Sequence, residues 1–252
     1  MDDFQVHELA ADLRVRVARA MPELPAVLDA EVETLWRRAA ARVAAGGAGA
    51  LFNGRVFSAD DITPRHITGH LTEFRRIVAQ MERPDLFAAL GVRPLAVCGV
   101  LRCADGIVFG RRHAGAIYQQ GMWQLPPAGS VDAGAVAPDG AVDLRRQLLA
   151  ELAEELGLRP DDVDEPAPLC VVEHPGSHVC DLGMALRTKL SGDEVCAARE
   201  RGGNREYQEL AVVPLAQLDG FVAQTGSALV PPAQVFLQRA GLLPGPDERG
   251  HE

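Results

Sequence analysis

Lysine is almost missing from this chain: Lys189 stands alone, and the other basic side chains among its 25 are arginines. Aromatic residues make up only 5% of the 252 positions, with two Trp and two Tyr. Acidic residues outnumber basic ones by 35 to 25, for a net charge of −10 and a pI of about 5.2. That deficit of positive charge excludes broad binding to nucleic acid, which depends on neutralising phosphates. It leaves room for a local cationic pocket, since arginine presents a planar fork suited to phosphate. No apolar run approaches the ~20 residues of a membrane-spanning helix. The opening MDDFQVHEL has no basic segment followed by an apolar one, so no secretory leader is expected. The five cysteines are odd in number and form no CxxC pair. They fit reduced thiols of a cytosolic (cytoplasmic) protein, and Cys98 and Cys170, inside apolar runs, read as buried.

Apolar residues supply 47% of the chain, enough for a sizeable core. Residues 1 to about 46 read as helical: Val6, Leu9, Leu13 and Val17 recur at helical spacing, and Leu28 to Val43 does so again before a Gly46-Gly47 stop. Asn53-Gly54 between apolar neighbours predicts a hairpin. His66 to Met81 suits strand or helix. Residues 1–92 thus form an N-terminal region of mixed α and β character, and residues 93–252 a second unit. Strands are expected at Leu95–Leu101, at Ile107–Arg112 after a turn at Ala104-Asp105-Gly106, and at Leu169–Glu173, Leu182–Leu186 and Leu210–Val213. Helices are expected at about Asp143–Leu156 and at Pro232–Ala240, ahead of a polar tail from Pro244 to Glu252. Strands that do not alternate strictly with helices indicate an α+β fold.

The segment Leu148-Leu-Ala-Glu-Leu-Ala-Glu-Glu-Leu-Gly-Leu158 carries the chemistry. On a helix, Glu151, Glu154 and Glu155 stand at i, i+3 and i+4 and share a face. Leu148, Leu149, Leu152 and Leu156 form an adjoining apolar face, and Gly157 is placed to end the helix in the left-handed conformation. Like charges at this spacing repel unless a counter-charge joins them. An all-oxygen set favours a hard dication, Mg²⁺ above all with Mn²⁺ feasible, and Mg²⁺ completes its shell with water and substrate phosphates. A bare ExxEE on a helix is otherwise an ordinary solvated face.

Trp123-Gln-Leu-Pro-Pro-Ala-Gly-Ser-Val-Asp132, followed by Glu151-Leu-Ala-Glu-Glu-Leu-Gly-Leu158, resembles the signature of the Nudix hydrolases over roughly residues 93–220. Gly129 matches the opening glycine of the family motif, and Glu151, Glu154, Glu155, Gly157 and Leu158 match its closing half. Two positions depart: Ala135 stands where the family has Glu, and Ala150 where it has Arg. The interval between them exceeds the family spacing by seven residues. The resemblance implies a mixed β-sheet sandwiched between helices, with an N-terminal α/β extension. It implies Glu151, Glu154 and Glu155 as metal ligands and a water attacking phosphorus. It implies a general base on this helix or a later loop, for which Glu154, Glu206 and Glu209 are candidates. Arg111 and Arg112 occupy the place of a phosphate-contacting arginine, with Gly129 also on the substrate side. The Pro-Ala-Gly form is similar to members acting on nucleotide sugars of the ADP-ribose or UDP-glucose kind. The implied partner is therefore a small nucleoside-diphosphate compound, with neither nucleic acid nor membrane. A non-catalytic nucleotide-binding protein of the same fold is the competing reading.

The remaining candidates are bland. His174 and His178 flank Pro175-Gly176, which breaks any helix, so a loop is expected rather than a zinc pair. His66 and His70 read as surface or core histidines. Tyr118 and Trp123 suit stacking on a base or sugar, though Trp123 also suits a core. The N-terminal region reads as a lid over the site or as the contact of a homodimer.

Overall fold

The computed structural model of the chain describes residues 4–45, 51–116 and 118–245. In chain order the first half holds β1 (Gln5–Glu8), β2 (Arg14–Val17), α1 (Ala26–Ala45), β3 (Arg55–Ile62), β4 (His66–Glu73), α2 (Phe74–Glu82), α3 (Phe87–Leu90), β5 (Leu95–Arg102) and β6 (Ile107–Arg112). The second holds β7 (Trp123–Gln124), β8 (Ala128–Ser130), β9 (Ala141–Val142), α4 (Leu144–Leu156), β10 (Ala167–Glu173), β11 (Cys180–Arg187), α5 (Gly192–Gly202), β12 (Tyr207–Val213), α6 (Leu218–Thr225) and α7 (Pro231–Arg239). The fold is α+β. No described helix is long and apolar enough to cross a membrane.

The large sheet runs β1-β10-β11-β5-β6-β12, with β8 joined to β5 and β7 to β6. β11 and β5 run parallel over eight paired residues, and the other pairs are antiparallel. Strand alternation sends Leu95, Val97 and Leu101 to one face, against Leu148, Leu152 and Leu156 of α4 and Val195 of α5. Cys98 and Val100 go to the other, against Val222 of α6 and Phe236 and Leu237 of α7. The sheet is thus sandwiched between helices, and Cys98 and Cys170 lie buried in it with free thiols.

A smaller sheet, β3-β4-β2-β9, packs beside it. Pairing crosses residue 92 in both directions: β1 adds an edge to the large sheet, and β9 adds one to the small sheet. Helices α1 and α2 pack through Val32, Leu35 and Ala79.

Three sequence expectations are corrected here. Val6, Leu9, Leu13 and Val17 do not lie on a helix; β1 and β2 cover this stretch. A helical spacing of single apolar residues also fits two short strands, and the sheets β1 and β2 join supply the backbone partners that decide it. Asn53-Gly54 makes no hairpin. The Asn53 side chain accepts from the Arg75 amide in the first turn of α2, and the hairpin joins β3 to β4 through Thr63 to Arg65. His66 to Met81 is both strand and helix, changing at Phe74. The helix expected from Leu28 to Val43 is α1. The Gly46-Gly47 stop and the tail beyond Gly245 lie outside the described residues. Helices α5 and α6 had no sequence expectation.

Helix α4 is closed at both ends by sequence. The Asp143 carboxylate accepts from the Arg146 amide (2.9 Å), and Gly157 terminates the helix at φ 65°. A Cβ at Gly157 would stand 2.5 Å from the Ala198 carbonyl oxygen, so the left-handed turn and the close approach to α5 both require glycine. Asp143→Ala is expected to cost about 1 kcal/mol of stability, and Asp143→Asn close to nothing, in urea denaturation.

Candidate active site

A cleft of about 790 Å³ opens at one end of the large sheet. Its polar wall includes Arg112, Tyr118, Glu151, Asp181 and Glu206. Its apolar wall includes Phe74, Ile77 and Met81 of α2. The N-terminal region is therefore part of the cleft itself.

The three carboxylates of α4 take three environments. Glu155 is 0% exposed; its carboxylate accepts from the Ala128 amide (3.0 Å) and from the Tyr207 hydroxyl (3.2 Å). Burial raises its pKa well above the ordinary value, and the charges of Glu206 and Glu151 push the same way. Glu151 lines the cleft, half-buried, and accepts from Gln147 Nε2 (2.8 Å) one turn earlier. Gln147 Oε1 in turn accepts from the Asp132 amide (3.2 Å), tying helix to loop. Glu154 is exposed, and its carbonyl accepts from the Asn204 amide (2.6 Å).

Gly129 lies flush against this helix. A Cβ there would stand 2.0 Å from Glu151 Oε1, so any side chain would displace the carboxylate. The strand carrying Gly129 pairs with Val97 of β5, which holds it in place.

Arg112 ends β6 and is mostly buried. Its Nη1 donates to Gln124 Oε1 and to Glu206 Oε1 (3.2 Å), and its Nε donates to the Tyr118 carbonyl (3.1 Å). Burial raises the pKa of Glu206, while Arg112 opposes the shift. Arg111 and Glu209 stand together elsewhere: they face each other at 3.9 Å, both about half exposed, and neither lines the cleft. A register shift in β12 between Tyr207 and Glu209 accompanies this division.

Trp123 packs on Phe221 in the core, while Tyr118 reaches the cleft. His174 to Val179 is a loop. His70 is a buried histidine paired with Asp60 (3.1 Å), and His66 is exposed. Sequence reasoning assigned no role to Tyr207, Gln124 or Gln147. Tyr207 follows Glu206 directly, but only the fold brings its hydroxyl to Glu155.

Glu151, Glu155 and Glu206 offer oxygen alone, the ligand type of a hard dication, and burial followed by neighbouring carboxylates raises the pKa of each. Among the described residues, no three of His, Cys, Asp or Glu already converge as a ligand set. Glu155 instead satisfies its oxygens through Ala128 and Tyr207.

No family model matches the chain, and no curated protein matches it. Solved structures that it resembles include a Nudix hydrolase from M. smegmatis, at 19% identity over 59% of this chain and 84% of that one, with a TM-score of 0.40. An Ap4A hydrolase from C. elegans matches at 18% identity over 57% of this chain and 98% of that one, with a TM-score of 0.35. A Nudix-family hydrolase from Clostridium perfringens matches at 12% identity over 60% and 97%, with a TM-score of 0.36.

Burial, joined by the charges of Glu154, Glu206 and Asp132 and opposed by the Gln147 hydrogen bond, pushes the Glu151 carboxyl from 4.5 up to about 7. Between those values the folded protein holds a proton that the unfolded chain has released, so metal-free stability falls as pH rises through the window. Glu151→Gln removes that penalty. Urea denaturation in chelator is expected to show the variant more stable than the parent by roughly 2–3 kcal/mol at pH 8, with almost no such gain at pH 4.5.

Proposed function

We propose that the chain is a Nudix-type hydrolase that cleaves the pyrophosphate bond of a nucleoside diphosphate linked to another group, a nucleotide sugar of the ADP-ribose or UDP-glucose kind first among them. One observation carries the reading: Glu151, lining the cleft, and Glu155, buried one turn further along the same helix, are two acids whose ionised forms burial and neighbouring carboxylates disfavour, on a helix packed so closely on Gly129 that no side chain fits between. Such a cluster is costly without a cation, and a cation placed there meets the cleft where Arg112 projects.

Glu151 and Glu155 would hold Mg²⁺, or Mn²⁺ in its place, with Glu154 contributing directly or through water. When bound, the ion neutralises phosphate oxygens and lowers the pKa of a coordinated water. The remaining work falls to side chains. Arg112 offers its guanidinium to a phosphate, exchanging the Glu206 contact for a stronger anion. Glu206, released from Arg112 and already raised in pKa by burial, accepts the proton of the attacking water. Glu206 is the better placed of the two candidates on this segment, because Glu209 lies outside the cleft with Arg111. The apolar wall from α2 keeps bulk water from one side of the bound compound.

Purified protein with Mg²⁺ is expected to release phosphorus products from at least one member of a panel of nucleotide sugars, dinucleotides and nucleoside triphosphates. Glu155→Gln and Glu206→Gln should each lower kcat by about 10²-fold or more, the range of a lost general base or essential charge. Arg112→Ala should raise KM by about tenfold, as the loss of one charge-assisted contact implies. Arg111→Ala and Glu209→Gln should stay within about threefold of the parent. Ligand-induced thermal stabilisation without turnover across the panel would favour the non-catalytic nucleotide-binding reading instead.

A further inference from the structure

We propose that Tyr118 and His174 are positioning residues that hold the Arg112 guanidinium in the cleft, through hydrogen bonds that run from Asp181 to the Tyr118 hydroxyl and from the Tyr118 carbonyl to Glu206. The proposal rests on the hydrolase reading in one respect only, that Arg112 contacts phosphate.

The line starts at the sheet. Asp181, on β11, accepts at Oδ2 from His174 Nε2 at 2.6 Å, while its Oδ1 faces the Cys98 thiol at 3.6 Å. A carboxylate only accepts, so His174 carries its proton on Nε2 and offers Nδ1 as an acceptor. The Tyr118 hydroxyl stands 3.1 Å from Nδ1 and donates to it, with Ser177 also beside that hydroxyl. The Tyr118 carbonyl then accepts from Arg112 Nε, and Arg112 Nη1 reaches Glu206. Both ring nitrogens of His174, and Nε and Nη1 of Arg112, have defined partners in this line.

Two further observations bear on how the segment that carries Tyr118 is held. Gln119, next to Tyr118, adopts φ 53°, a conformation uncommon for residues other than glycine, and Gly121 follows at φ 67°. A backbone of this kind persists only where its surroundings over-determine it. The anchor is correspondingly rigid: His174 is 4% exposed, and Phe4, just ahead of β1, packs edge-on against its ring at 5.2 Å. The Gln80 side chain from α2 donates to the Ser177 carbonyl at 3.1 Å and steadies the same loop. The N-terminal region thus reaches Arg112 indirectly, through the histidine it buttresses.

Two substitutions at His174 separate its two bonds. His174→Gln keeps a donor near the Nε2 position, toward Asp181, and withdraws the acceptor that Tyr118 uses. His174→Asn keeps an acceptor near Nδ1, toward Tyr118. Tyr118→Phe removes the hydroxyl alone. For the panel compound turned over fastest, Tyr118→Phe and His174→Gln should each raise KM about tenfold with kcat within about twofold. The double variant should be no worse than either single one, because both break the same line. His174→Asn should recover at least half of the loss on a logarithmic scale. Amide hydrogen exchange at residues 118–122 should quicken about tenfold in Tyr118→Phe, with the strands of the large sheet unchanged. Unaltered exchange in that segment overturns the proposal, and so does a fall in kcat at constant KM. If the unmodified protein hydrolyses nothing on the panel, the hydrolase reading fails by itself, and the exchange measurement still decides whether the line holds the segment.

Discussion

A fully buried acid is the constraint around which this molecule is arranged. Glu155 sits at 0% exposure on the face of α4 that docks on the sheet. An ionised group there is costly unless its oxygens are occupied. Ala128 and Tyr207 occupy them, and each is delivered by a different strand. Tyr207 in turn fills the space that a side chain at Gly110 would need: a Cβ there would stand 2.5 Å from the ring. The helix, β8 and the β6–β12 pair are thus mutually fixed around a single acid.

The same constraint explains the geometry one turn earlier. Glu151 projects where Gly129 leaves no Cβ, and Gln147 braces it from the preceding turn. Both acids therefore sit where burial first, and neighbouring carboxylates second, favour the protonated form. Active sites hold charge in this way, with groups kept in environments that shift their protonation. Arg112 is the nearby opposite charge that limits the effect on Glu206, and its own position depends on a segment tied down by buried His174.

Much of this was legible in the residues. The apolar stripe of α4, the Gly157 terminator and the strands around Leu95, Ile107 and Leu182 all follow from local rules that the structure obeys. The spacing of Glu151, Glu154 and Glu155 was equally plain, whereas their three separate environments were not. Burial of Glu155 and exposure of Glu154 depend on which way the helix is rolled onto the sheet. The first seventeen residues misled because two strands of four residues each draw their stability from partners more than forty residues away. Asn53-Gly54 misled for a related reason: the Asn side chain serves a helix terminus twenty-two residues later.

By itself the sequence determined the elements whose signals are local, and the residue types able to bind a dication and a phosphate. Periodicity, caps and side-chain chemistry act over a few residues, so they can be read from the chain. Only the tertiary structure decided that Glu206 faces the cleft while Glu209 turns to solvent with Arg111. It alone decided that α2 walls the cleft, and that Tyr118, His174 and Asp181 stand in line. Those outcomes depend on strand register and on contacts between distant segments, where a shift of one residue reverses the side that each side chain faces.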